Sequence, residues 1–190
     1  SKGRKDRVKS LQEMTHQLLN RVGMPNARLK ISLEPGSLSP TGADAVEFLF
    51  DANKSGQFQP VRKVASGGEL SRLMLCIKSL VAQSIDLPTM IFDEIDTGVG
   101  GAVAATIGKR LRELGRYHQV LCITHLPQVA SQAQHHFSVE KLEVKGRTVA
   151  TVRLLTGISR EGEIARMLGG ERITAKTRSA AAELIAGTHE

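Results

Sequence analysis

The 190-residue chain has few aromatic residues and only two cysteines. Phe, Tyr and Trp make up 3% of the sequence and Trp does not occur, so the aromatic platforms that bind single-stranded nucleic acid are not expected. Cys76 and Cys122 both lie in apolar runs, where a buried reduced thiol is the usual state. No group of Cys and His has the spacing of a zinc site, and the adjacent His135 and His136 are interpreted as the polar start of a strand.

The sequence also lacks a signal peptide and any apolar run long enough to cross a membrane, so we predict a cytoplasmic protein. The apolar share of 41% and the charged share of 24% are typical of a globular domain with its own core. Lys and Arg outnumber Asp and Glu by 26 to 19. This excess suits contact with nucleic acid, but it is also typical of a surface of solvated lysines, so charge alone does not decide between them.

The first 22 residues are predicted to form a helix that begins with a basic run. Apolar and small residues recur at spacings of three and four, at Val8, Leu11, Thr15, Leu18 and Val22. This is the pattern of a coiled-coil seam, and an ordinary amphipathic helix explains it equally well. We therefore divide the chain into 1–22, the expected end of a coiled coil, and 23–190.

The rest of the sequence predicts an α/β fold. Two apolar strands joined by a helix make a βαβ unit, which requires a parallel sheet and a right-handed crossover. In chain order the predicted elements are strands at 27–33 and 45–51 around a turn-rich stretch at 34–42, a helix at 70–84, the unit's strand, helix and strand at 90–92, 98–114 and 119–124, a hairpin at 137–155 that turns at 145–146, and helices at 161–168 and 174–186.

The stretch ASGGE, residues 65–69, precedes the first of these helices. Ser66 and Glu69 have the spacing of a capping box, in which each side chain bonds the other's backbone N–H. Capping leaves Gly67 and Gly68 unexplained. Glycines at a helix start let an outside anion approach bare N–H groups, where the helix dipole favours negative charge. Both readings stay open on this stretch alone.

Polar residues follow both strands of the predicted βαβ unit. Asp93 and Glu94 come directly after the first strand and His125 after the second, at the edge of a parallel sheet where ligands bind. Asp93 can hold Mg²⁺, Glu94 can orient or deprotonate a water, and His125 can contact a phosphate or that water. The alternatives are solvated acids at a strand end and a structural histidine. Asp96 lies in the glycine-rich loop 95–101, which also suits an ordinary strand-to-helix turn.

Taken in order, these motifs resemble the second half of an ATP-binding-cassette ATPase head. The correspondence consists of a signature at 65–69, a Walker B strand ending in Asp93 and Glu94, a D-loop at 95–98 and a switch His125. The stretches KVASGGELSR, FDEIDTGVGG and THLPQVA are similar in sequence to the SMC-like branch that serves bacterial recombination and repair. The resemblance runs from about Gly23 to the last residue, and it implies the C-terminal lobe of a head with a parallel-sheet core, flanking helices, a hairpin and a coiled-coil stub.

The resemblance also implies roles for single residues. Glu94 and His125 are the expected catalytic residues, and Asp93 the expected Mg²⁺ ligand. The expected ATP-binding residues are Ser66, Gly67, Gly68, Glu69 and Asp96. The first four belong to the signature, which would close on the γ-phosphate held by the opposite subunit of a dimer.

A Walker A motif, G-x-x-x-x-G-K-[ST], is not found in the sequence. The nearest approach, Gly101 to Lys109, has six residues between its glycines and Arg110 after the lysine. In the family this motif lies in an N-terminal half, beyond a long coiled coil. The expected partners are therefore that half, a second head in an ATP-sandwiched homodimer, and DNA for the full-length protein. The chain alone is predicted to hydrolyse no ATP.

Two other function classes stay open. One is a non-enzymatic DNA-binding or dimerisation module whose ATP motifs act only in assembly; Glu94 argues against it, because holding Mg²⁺ needs only Asp93. The other is a different cassette ATPase, such as a transporter subunit, against which the D-loop wording and the heptad-like first helix argue.

Overall fold

The computed structural model describes residues 2–64, 66–82, 87–144, 146–170 and 172–187. The mixed α/β class is confirmed. The described elements are helices α1 Lys2–Arg21, α2 Gly67–Val81, α3 Gly101–Leu114, α4 Pro127–Ala130, α5 Gly157–Gly169 and α6 Ala175–Ala186, with strands β1 Arg28–Ser39, β2 Gly42–Asp51, β3 Gln59–Pro60, β4 Thr89–Phe92, β5 Gln119–Cys122, β6 His136–Val144 and β7 Arg147–Leu155. Ala65 of the signature, the last two residues predicted for the helix at 70–84, and Lys145 of the hairpin turn lie outside the described residues.

Helix α1 packs on this chain's own core along its second half. Thr15 and Leu19 are fully buried. Two polar side chains of α1 bond the backbone of β1: Gln12 accepts from the N–H of Ile31 at 2.8 Å, and His16 from the N–H of Leu29 at 2.9 Å. The helix therefore covers the edge of β1, and its apolar pattern is explained there as an amphipathic face. A coiled coil at its start stays a prediction.

The first hairpin is longer than predicted. Strand β1 runs to Ser39 and pairs antiparallel with β2, with an irregularity between Pro35 and Ser39. The turn-rich interpretation of 34–42 is therefore wrong for most of that stretch, because Pro35 is tolerated beside the irregularity and only residues 40–41 turn. Arg4 of α1 holds this tip by an ion pair of 2.9 Å with Asp44. The short strand β3, which pairs with the end of β2, was not predicted.

The βαβ prediction is confirmed by a parallel pair, β4 with β5, that runs from Thr89 opposite Gln119 to Phe92 opposite Cys122. One face of this pair is covered, with Met90 and Phe92 at 1% and 2% exposure. The other face carries apolar side chains that the described residues leave exposed, namely Ile91 at 62%, Leu121 at 46% and, just past the strand, Ile123 at 61%.

Two apolar clusters hold the fold together. The larger one joins α1, β1, α2, β4 and α3, through buried residues that include Leu19, Leu29, Leu73, Met90 and Ile107. The smaller one joins the end of α4 to α5 and α6. The second hairpin, β6 with β7, has the predicted pairing. Among the described helices none is long and apolar enough to span a membrane.

Candidate active site

Helix α2 begins at the signature as the capping pattern predicts. Ser66 takes an extended backbone, and its hydroxyl oxygen accepts from the N–H of Glu69 at 3.4 Å. Glu69, half-buried in the first turn, places negative charge where the helix dipole favours it. The capping role of Ser66 is thus confirmed, while the return bond from the Glu69 side chain to the N–H of Ser66 stays a prediction.

The two signature glycines let the loop after β4 approach the start of α2. A Cβ built on Gly67 would lie 2.0 Å from Oε2 of Glu94, far inside any real contact. A Cβ on Gly68 would lie 3.1 Å from Cβ of Thr97 and 3.2 Å from the carbonyl oxygen of Glu94. Both glycines therefore have a packing reason within this chain. The carboxylate of Glu94 thus lies against the start of α2, where the helix dipole favours negative charge.

Two residues of α2 that sequence analysis missed hold the same loop. The Ser71 hydroxyl donates to the carbonyl of Asp93 at 2.6 Å, and Nη1 of Arg72 donates to the carbonyl of Thr97 at 2.9 Å. Burial lowers the pKa of Arg72, which is 8% exposed, but a guanidinium stays charged at neutral pH. The signal available in the sequence was an arginine on an otherwise apolar helix face.

Asp93 and Glu94 both lie exposed at the carboxyl end of β4. Oδ1 of Asp93 accepts from the N–H of Glu94 at 2.9 Å. Glu94 has a φ of 56°, a left-handed conformation that is uncommon for residues other than glycine and that often marks functional sites. This conformation accompanies the contact of its carboxylate with Gly67.

Asp96 connects the ends of the two parallel strands. It is 2% exposed, and its Oδ2 accepts from the hydroxyl of Thr124 and, at 3.1 Å, from the N–H of His125. Its Oδ1 lies 3.4 Å from Nδ1 of His125, whose side chain is 70% exposed. Thr124 was not singled out in the sequence. The carboxylate that sequence analysis assigned to ATP binding is thus turned into the protein.

The fold therefore brings most of the predicted site residues to one edge of the β4–β5 sheet. Gly67 touches Glu94, Asp93 bonds Glu94, and Asp96 bonds His125. No group of three or more His, Cys, Asp or Glu among the described residues could hold a metal by itself. Mg²⁺ does not need one, because one or two carboxylates, waters and substrate phosphates usually complete its shell. An exposed Asp93 fits that requirement.

The two cysteines take no part in this chemistry. Both are free thiols; Cys76 is buried, as predicted, whereas Cys122 is only half-buried. Burial raises the pKa of Cys76 and of Cys122 to about 12, so neither is a thiolate nucleophile at neutral pH.

Comparison with known proteins gives a consistent set of relatives. No protein-family profile matches the chain. The chain is 45% identical over 179 residues to the DNA repair protein RecN of Xylella fastidiosa strain Temecula1, and 44% identical over 180 residues to that of Vibrio cholerae. These matches cover 93% and 94% of the chain and 32% of each relative. The chain thus spans about a third of the length of the curated relatives it matches.

Solved structures show that the fold is similar to part of an SMC head. The Smc head domain of Pyrococcus yayanosii, solved with a coiled coil and joint, aligns with 96% of this chain and 29% of its own at a TM-score of 0.55 and 17% identity. The Smc head domain of Pyrococcus furiosus, solved with an extended coiled coil and bound to the C-terminal domain of ScpA, covers 78% of this chain and 35% of its own at a TM-score of 0.54 and 18% identity.

Proposed function

Since the chain is homologous to the RecN proteins over almost its whole length, we propose that it is the C-terminal part of a dimerising SMC-like ATPase head that serves DNA double-strand-break repair and recombination. The observation that carries the proposal is the edge of the β4–β5 sheet, where the exposed Asp93 and Glu94 contact the first turns of α2 and the buried Asp96 joins His125 to the loop that follows them. Such an edge could supply a metal ligand, a base and a helix N-terminus to one nucleotide, which is what nucleotide hydrolysis requires.

The exposed face of the β4–β5 sheet is consistent with a further part of the protein that covers it. Parallel strands are normally covered on both faces, and a contiguous exposed apolar patch marks an interface. Ile91, Leu121 and Ile123 form such a patch. The relatives are about three times as long as this chain, so we propose that their N-terminal part supplies both the cover and the Walker A motif. The chain alone would then hydrolyse no ATP.

Asp93 would hold Mg²⁺, partly through its water shell, and the ion would neutralise charge on the phosphates. Glu94 would accept a proton from the attacking water. Ser66, Gly67 and Gly68 would offer a hydroxyl and backbone N–H groups to a phosphate held by the partner head. Glu69, in the first turn of α2, would serve the capping box that holds Ser66 in place for that contact.

In this proposal the carboxylate of Glu94 must leave Gly67 before a phosphate can approach it. The contact lies within one head, whereas the phosphate would come from another. Head closure would therefore release Glu94 from its own signature helix and free it to act on a water at the Mg²⁺ site. Work on DNA would place the protein in the cytoplasm at the nucleoid, with DNA bound by parts of the full-length protein that we do not assign to single residues.

Replacement of Ser66 tests the proposal. In the full-length protein, Ser66→Ala and Ser66→Arg both remove the cap, at a cost of about 0.5–2 kcal/mol of stability. Only arginine adds bulk where a partner's phosphate would lie. We therefore expect Ser66→Arg to retain ATP binding but to lose ATP-driven dimerisation and turnover. Ser66→Ala loses only the hydroxyl contact and should still dimerise, more weakly than the wild type, as measured by light scattering with and without ATP. Unimpaired dimerisation of Ser66→Arg would refute a signature that acts across the dimer.

A further inference from the structure

A single buried carboxylate determines how His125 is presented. Asp96 accepts from the Thr124 hydroxyl and from the His125 N–H with one oxygen, and faces Nδ1 of His125 at 3.4 Å with the other. The bond to the N–H holds the backbone of residue 125, and the second oxygen lies on the Nδ1 side of the imidazole. These contacts lie within one chain, and the side chain of Asp96 has only 1% of its surface exposed.

We propose that Asp96 is a positioning residue that keeps the proton of His125 on Nδ1 and leaves Nε2 as the reactive edge. A carboxylate can only accept hydrogen bonds, and it repels a lone pair that faces it. At 3.4 Å from Oδ1 of Asp96, Nδ1 is therefore favoured as the protonated nitrogen. The other nitrogen then varies its role: Nε2 accepts from a water when the ring is neutral and donates to a phosphate oxygen when the ring is charged. Asp96 thus acts through His125, not on the nucleotide.

Histidine NMR on this chain, without nucleotide, tests the placement of the proton. The chain would be labelled with ¹⁵N-histidine and measured well above the ordinary histidine pKa of about 6.5, with the His125 signals identified by their loss in His125→Gln. We expect the proton of the neutral ring on Nδ1. A wild-type His125 protonated on Nε2 would overturn the proposal without any further variant.

Asp96→Asn provides the matched change, because it keeps the shape and exchanges one oxygen for an N–H donor. The remaining oxygen must face the N–H of His125, so the amide nitrogen must face Nδ1, and the proton should move to Nε2. Thr124→Val is the control: it removes the hydroxyl bond but leaves the carboxylate beside the ring, so Nδ1 should stay protonated. An unchanged tautomer in Asp96→Asn, or a changed one in Thr124→Val, would contradict a direct action of Asp96. If Asp96→Asn does not fold, as judged by circular dichroism, the wild type and Thr124→Val still decide.

The consequence for turnover rests on the proposed function. In the full-length protein, Asp96→Asn should lower ATP turnover by about 10²–10⁴-fold while ATP affinity is unchanged, as expected when a base or donor loses its orientation. Lost ATP affinity with normal turnover per bound ATP would show that Asp96 contacts the nucleotide. An inactive wild-type protein would refute the proposed function, and the tautomer result would stand.

Discussion

The contrast between Gly67 and Gly68 gives the sharpest test of how the signature is used. A Cβ on Gly67 would meet the end of the flexible Glu94 side chain, which can move away. A Cβ on Gly68 would meet Cβ of Thr97, Nη1 of the buried Arg72 and the backbone oxygen of Glu94, all within 3.1–3.2 Å. One substitution therefore displaces a side chain, while the other pushes against packed atoms.

The expected stabilities follow from two opposing terms. Replacing glycine by alanine in a helix raises the free energy of unfolding by about 0.5–1 kcal/mol. Crowding packed atoms lowers it by about 1–3 kcal/mol. For Gly67→Ala only the first term applies, so the free energy of unfolding should be unchanged or higher by up to about 1 kcal/mol. For Gly68→Ala the terms combine to a loss of about 0–2.5 kcal/mol. We expect Gly67→Ala to be the more stable variant by about 1 kcal/mol or more.

Urea unfolding of this chain, followed by circular dichroism, measures the difference directly. Equal stabilities, or the reverse order, would refute the packing of α2 against the loop after β4. The same pair of variants separates stability from function in the full-length protein. Gly67→Ala should lose ATP-driven dimerisation although it is the more stable variant, because its methyl group lies where the phosphate must approach.

The remaining predictions concern catalysis, the missing half and the thiols. Glu94→Gln in the full-length protein should keep ATP binding, lower turnover by about 10²–10⁴-fold and accumulate a nucleotide-bound dimer; wild-type turnover would show that Glu94 is not the base. Ile91→Lys should leave the folding of this chain intact and abolish association with the N-terminal part in a co-purification assay. Ile158→Lys is the control, because Ile158 is also exposed, at 81% against 62% for Ile91, but lies in α5, and its replacement should not affect association; equal binding by both variants would contradict the docking face. Folding raises the pKa of both thiols from 9.0 to about 12. This shift stabilises the folded state below pH 9, and the stabilisation is lost as pH rises from 9 to 12. When both Cys76 and Cys122 are replaced by alanine, the free energy of unfolding measured in urea should therefore fall less steeply across that range.

The sequence could predict those features of the fold that depend on local pattern. Apolar runs bounded by glycine and proline placed β4, α3 and β5 within a few residues, and order along the chain was enough for the parallel pairing. The strands of the hairpin at 28–51 were predicted too short, because Pro35, Gly36 and Pro40 are typical of turns. Only pairing across the hairpin keeps most of the stretch extended. That pairing is a contact at a distance, which local composition does not encode.

The site was predictable as a list of residues but not as a set of contacts. Strand ends located Asp93, Glu94 and His125, because the topology of a parallel sheet brings such ends to one edge. The sequence did not reveal that Arg72 and Ser71 hold the loop after β4, since an arginine on a helix usually points to solvent. It also could not tell whether Asp96 faces outward or inward, because that depends on the position of Thr124, 28 residues further on.

These contacts change the meaning of the glycines in the signature. The sequence suggested that capping and phosphate binding explain ASGGE, and the structure adds a third demand, the close approach of Glu94. The cap is compatible with either of the other two, but the contact with Glu94 and phosphate binding must occur at different times, since a carboxylate and a phosphate cannot occupy the surface of Gly67 together. A head on its own satisfies the cap and the contact with Glu94; a closed dimer would keep the cap and exchange the carboxylate for the phosphate. Because both anions favour the same helix start, the exchange replaces one favourable contact by another, and head closure need not leave the start of α2 without a partner at any stage.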